Sequence, residues 1–222
     1  MSLSIGIVGL PNVGKSTLFN ALTNNDILAA NYPFATIEPN TGIVPVPDLR
    51  LNKLAEIYGS QKIIPATVTF VDIAGLVAGA SKGEGLGNKF LANIRQCDAI
   101  VHIVRAFVNN DIVHVSNEVN PKNDIEVINT ELILADIQTI ENRLPKLQKE
   151  AKAKPALRKQ AEYLNKLVEQ LQAGVLLSSI EDLDYEAIQN LHLLTAKPVI
   201  YAFNVDENTL TDEVKKEELL SK

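Results

Sequence analysis

The apolar run Ile5 to Val8 leads straight into Gly9-Leu10-Pro11-Asn12-Val13-Gly14-Lys15-Ser16, and Thr17 to Leu22 beyond it reads as a helix. Strand, glycine-bounded loop, lysine, hydroxyl and helix follow the phosphate-binding pattern G-x-x-x-x-G-K-[ST]. Glycines let the backbone curl so that successive N–H groups point inward and form an anion nest. The helix N-terminus adds partial positive charge. In such a loop the amides of Val13, Gly14 and Thr17 join Lys15 on the polyphosphate, while the Ser16 hydroxyl holds Mg²⁺. At average composition the pattern arises by chance in about one chain of this length in a hundred. The flanking strand and helix make a plain glycine-rich turn rarer still.

The other signals fall at the places where a phosphate loop would need them. Thr36, in Asn31-Tyr32-Pro33-Phe34-Ala35-Thr36, lies between the first helix and the next strand, where switch-type NTPases supply a metal-binding threonine. Thr41–Val46 and Ala66–Val71 read as strands, with a helix through Tyr58 between them that Asp48 would cap. Asp72-Ile73-Ala74-Gly75 ends a core strand, so Asp72 is expected to orient a Mg²⁺-bound water and the Gly75 N–H to meet the γ-phosphate. The glycine-dense run that follows reads as a switch loop. Leu76 stands where Ras-like enzymes carry a water-positioning glutamine, and leucine can neither donate nor accept a hydrogen bond.

Further on, Asn88–Gln96 reads as a helix and Ala99–Val104 as a central strand, with His102 as a core side chain and Cys97 as a small buried one. His114 falls in a polar loop, where a histidine is ordinarily just exposed. From Asp124 apolar residues recur at three- and four-residue steps, and a second such run follows Pro155. Together they read as an antiparallel helical hairpin whose first helix Pro145 should kink. Arg143 to Lys166 carries eight basic residues against Glu150 and Glu162, a net +6, which leaves −12 for the rest of a chain of net −6. A basic arm on an acidic body suits a polyanion such as ribosomal RNA, and equally suits a merely solvated helix face. Asp184–Leu194 reads as a helix and Pro198–Phe203 as a strand ending in Asn204-Val205-Asp206-Glu207. There the guanine-reading N-K-x-D pattern has Val205 for its lysine and Glu207 for its aspartate. Strict guanine selectivity is therefore lost, and Asn204 has an acceptor for an adenine amino group.

Composition adds limits. One cysteine and three histidines in 222 residues exclude an intramolecular disulfide and make a structural zinc site improbable. No apolar run is long enough for a bilayer and no basic-then-apolar leader opens the chain, so the expectation is a cytoplasmic protein with no membrane partner.

Gly9–Ser16, Asn31–Thr36, the run Asp72–Leu91 and the altered Asn204–Glu207 motif together resemble the Obg-like ATPases, the YchF branch of the Obg family. The resemblance implies a Ras-like α/β P-loop domain with a mostly parallel sheet, interrupted by an antiparallel coiled-coil arm. The nucleotide-binding part would comprise 1–123 and 180–222, and the arm 124–179. It implies Mg²⁺-dependent ATP hydrolysis with ATP preferred over GTP, His114 assisting hydrolysis beside Lys15, and an association with ribosomes. An asparagine at the position of Asn12 helps related NTPases to coordinate K⁺, so K⁺ is a second candidate ion. Family members continue into a small β-rich TGS domain that would follow Lys222, so the chain reads as C-terminally incomplete. Two other readings stand beside the ATPase. One is a conventional GTPase, and the other a nucleotide-gated ribosome-binding module whose hydrolysis is incidental.

Overall fold

A computed structural model describes residues 2–23, 41–73, 86–109, 118–154 and 156–220. Thr36, Gly75, Leu76 and His114, with the switch-loop reading that follows Asp72, lie outside them. Five strands form one sheet in the order β2-β3-β1-β4-β5: β1 (Leu3–Val8), β2 (Thr41–Pro45), β3 (Thr67–Asp72), β4 (Ala99–Arg105) and β5 (Val199–Asn204). β3, β1, β4 and β5 run parallel, and β2 joins β3 antiparallel. The central strands are rich in β-branched residues, and Ile7, Val8, Ile100, Ile103 and Val104 are buried, as parallel strands covered on both faces require. Pro45 closes β2 at the sheet edge, where a missing N–H costs least.

α1 (Lys15–Thr23) follows the glycine loop, and α3 (Leu86–Gln96) buries Phe90, Leu91 and Ile94 against the sheet. α2 (Arg50–Tyr58) buries none of its residues. Asp48 does serve its first turn, accepting the Arg50 N–H at 2.9 Å. Cys97 is buried between α3 and β4, its thiol donating to the Asn93 carbonyl, and burial pushes that thiol up from its ordinary pKa.

α4 (Pro121–Ala153) begins three residues before Asp124. Asn120 is its cap, accepting the Asn123 N–H at 3.2 Å, and Pro121 occupies the first turn, where no N–H is needed. The helix continues past Pro145, whose ring nitrogen can return no bond to Glu141. It ends at Ala153, and α5 (Ala156–Gln172) turns back along it. The two helices bury Ile140, Leu144 and Leu147 against Ala161, Leu164, Leu167 and Leu171.

Residues 184–194 differ from the expected long helix. α6 (Tyr185–Ile188) is a single turn capped by Asp184, a 3₁₀ turn covers Gln189–Leu191, and His192 adopts φ +48°. A left-handed residue ends any right-handed helix. Here the chain dips inward, so that Leu183, Ile188 and Leu193 join the α4–α5 core. Asp136 of α4 anchors the next stretch, accepting from Leu194 N, Thr195 N and Thr195 Oγ1 at 2.7–2.8 Å. After β5 come α7 (Glu207–Thr211) and α8 (Glu213–Leu220).

Candidate nucleotide site

β1, the loop after it and α1 stand at the carboxyl end of the sheet, where chain order reverses between β3 and β4 on either side of β1. Open α/β sheets bind ligands at such a point. Two glycines in the loop are required, Gly9 by contact with backbone and Gly14 by its backbone conformation. A Cβ on Gly9 would lie 2.5 Å from the Ile103 carbonyl oxygen, and one on Gly14, at φ +99°, would lie 2.5 Å from Asn204 Nδ2. Asn12 is the other residue turned left-handed here, at φ +63°, a conformation its short amide tolerates. Val13 is buried and fixes the loop to the core.

The first-turn amides of α1 have no carbonyl one turn back, so those of Lys15, Ser16 and Thr17 are available to an anion. Lys15 is 8% exposed and its Nζ donates to the Leu10 carbonyl across the loop at 2.7 Å. Burial lowers its pKa, against the pull of Asp72 in the other direction. An ammonium stripped of water in this way gains more from a polyphosphate than a solvated one.

Ser16 Oγ donates to Asp72 Oδ2 at 3.2 Å, which joins the end of β3 to the start of α1. Asp72 Oδ1 is buried with no hydrogen-bond partner among the described residues. A hydroxyl beside a carboxylate with one unsatisfied oxygen is a hard-oxygen donor set, and it fits Mg²⁺ with its coordinated water.

Asn204, at the end of β5, is tied to the phosphate loop, its Nδ2 donating to the Val13 carbonyl at 3.0 Å. Its side-chain oxygen accepts no hydrogen bond among the described residues. Val205 beside it is half-buried, and Glu207 is exposed in the first turn of α7. Asp206 is the cap of that helix, accepting the Thr209 N–H at 2.7 Å, so its carboxylate is committed locally. A mostly apolar cavity of about 310 Å³ is lined by Gly14, Thr17, Leu18, Ile103, Phe203 and Asn204. The structure thus brings together Asn12, Val13, Gly14, Lys15, Ser16, Thr17, Asp72 and Asn204, and holds Val205 and Glu207 at the margin. The sequence offered no signal for Leu10, because a backbone carbonyl acts through position alone.

The family model described as 50S ribosome-binding GTPase matches residues 4–143. The "Ribosome-binding ATPase YchF" of Haemophilus ducreyi is 57% identical over 212 residues, covering 94% of this chain and 58% of that protein. The protein of the same name from Bacillus subtilis is 53% identical over 218 residues, covering 96% and 59%. Among solved structures, the Schizosaccharomyces pombe YchF GTPase superposes with a TM-score of 0.79 at 39% identity, covering 98% of this chain and 61% of that one. The chain therefore spans about three-fifths of the length of the relatives it matches. Among the described residues no helix is long and apolar enough to cross a membrane.

Proposed function

We propose a function from one premise: this chain belongs to the 50S ribosome-binding GTPase family of P-loop NTPases, in its YchF branch. It binds a purine nucleoside triphosphate, ATP in preference to GTP, hydrolyses it, and uses the cycle to control docking on the ribosome from the cytoplasm. The observation that carries the reading is the Lys15 ammonium, buried across the glycine loop on the Leu10 carbonyl, with the Ser16–Asp72 pair at the start of the same helix.

In this scheme the amides of Val13 to Thr17 and Lys15 bind the β- and γ-phosphates and stabilise charge as the γ-phosphoryl group leaves. Mg²⁺, which P-loop NTPases generally use, would be held by Ser16 and Thr36 with Asp72 reaching it through water, and would neutralise phosphate charge. The Gly75 N–H meets the γ-phosphate, and His114 orients the attacking water in place of the glutamine that Leu76 replaces. Asn204 accepts from the adenine amino group, with Val205 against the ring and Glu207 unable to grip guanine as an aspartate does. Asn12 would hold K⁺, and equal hydrolysis rates in KCl and NaCl would dismiss that role. Residues 1–123 and 180–222 act as the nucleotide-binding part and 124–179 as an arm. Ribosomal RNA meets the basic stretch Arg143–Lys166.

The test is competition of ATP against GTP for the wild-type protein, with Lys15→Ala beside it. The variant should lose about a hundredfold or more in turnover. Unchanged ATP binding and hydrolysis in Lys15→Ala would sink the proposal. Leu76 and the basic arm favour a second reading, a docking module with incidental hydrolysis. It would be preferred if His114→Ala left a slow turnover unaltered while ribosome binding still followed the nucleotide.

A further inference from the structure

Arg105, the last residue of β4, is 1% exposed. Its Nε donates to the Phe107 carbonyl at 3.2 Å and its Nη2 to the Asn109 carbonyl at 3.1 Å, with the guanidinium carbon 4.5 Å from the centre of the Phe107 ring. A buried cation is expensive, and an apolar side chain of similar volume would fill the same space at lower cost. What the guanidinium provides is geometry. Its rigid fork fixes two carbonyls at once, and no other side chain reproduces that fork.

The fork lies next to Asn204, to which the proposed function gives the base. Arg105 is in register with Asn204 on the neighbouring strand, so the two share a sheet face. The first amide after it, Ala106 N–H, donates to the Asn204 carbonyl at 2.8 Å. Asn204 in turn bonds Val13 and lies against Gly14 closely enough to exclude a Cβ. The connection from the guanidinium to the phosphate loop is therefore Arg105, the 106–109 backbone, Asn204, Val13.

We propose that Arg105 is a positioning residue for the purine end of the nucleotide site, holding the exit of β4 so that Asn204 stays aligned with the phosphate loop. The inference rests on the proposed nucleotide reading. It predicts that weakening the fork disturbs base recognition through Asn204 and not through a general loss of fold.

The experiment titrates ATP and GTP separately into the wild-type protein, Arg105→Lys, Arg105→Met, Asn204→Ala and the Arg105→Lys/Asn204→Ala double variant, with thermal unfolding followed alongside. Arg105→Lys keeps the charge and loses the fork, and should weaken ATP binding about tenfold and narrow the gap between ATP and GTP. Arg105→Met keeps the bulk and should do at least as much. The double variant should bind within about twofold of Asn204→Ala alone, because effects that share one path do not add. Additive losses, or an Arg105→Lys protein that binds both nucleotides as the wild type does, would overturn this inference alone. A wild-type protein that bound neither nucleotide would overturn both it and the proposed function.

Discussion

His102, in the middle of β4, is 1% exposed, with the Tyr201 ring 5.5 Å away and its Nε2 unpaired among the described residues. Burial first, and the Lys15 charge second, lower its pKa from 6.5 to about 4. Between those values the unfolded chain binds the proton and the folded one does not, so stability falls as the pH drops. The histidine's share of the loss from pH 7 to pH 5 is about 2 kcal/mol. Denaturant unfolding at the two pH values should show that loss in the wild type and a smaller one in His102→Leu. Asn12 separates two roles that one side chain combines. Asn12→Gly keeps the left-handed turn and removes the amide, whereas Asn12→Ala also strains the backbone by about 1 kcal/mol. If Asn12 serves K⁺, both variants should lose activation by KCl, and Asn12→Ala alone should also melt lower. That Lys15, Ser16 and Asp72 lie together was legible in advance from residue type and spacing. Arg105 was not, because the partners described for its fork, the carbonyls of Phe107 and Asn109, are groups that every residue possesses.

At the scale of elements, periodicity placed the strands to within a residue or two, since buried β-branched runs leave few alternatives. It failed where local chemistry outweighed pattern. The cap at Asn120 starts α4 earlier than its apolar stripe does, and the helix expected over 184–194 gives way after Ile188 to a 3₁₀ turn that the left-handed His192 closes. Pro145 lies exposed inside α4, where it removes one helical hydrogen bond. Pro145→Ala should therefore stabilise the protein by about 1–3 kcal/mol, read from the denaturant midpoint. Asp136 predicts the opposite sign. Burial raises its pKa while its hydrogen bonds pull it down, and it satisfies two amides and a hydroxyl. Asp136→Ala strands all three donors and should cost about 3–5 kcal/mol, read the same way.

Across the whole molecule, the basic residues cluster between Arg143 and Lys166. Lys146, Lys149, Lys152, Lys154, Arg158, Lys159 and Lys166 are all exposed on α4, α5 and the turn between them. If this surface meets ribosomal RNA, binding should fall steeply with salt. Lys152→Glu with Lys154→Glu should then lower the slope of log affinity against log salt by about one per lysine, measured by ribosome co-sedimentation. An unchanged slope would leave the arm a solvated face.

α4 has a part in both cores: Ile128, Leu132 and Ala135 pack on the sheet, and Ile140, Leu144 and Leu147 pack on α5. Its 33 residues make a rod about 50 Å long. Seated like an oar in its rowlock, a rod of that length magnifies whatever happens at the pivot. A tilt of ten degrees where it rests on the sheet would sweep its far third through roughly 5 Å.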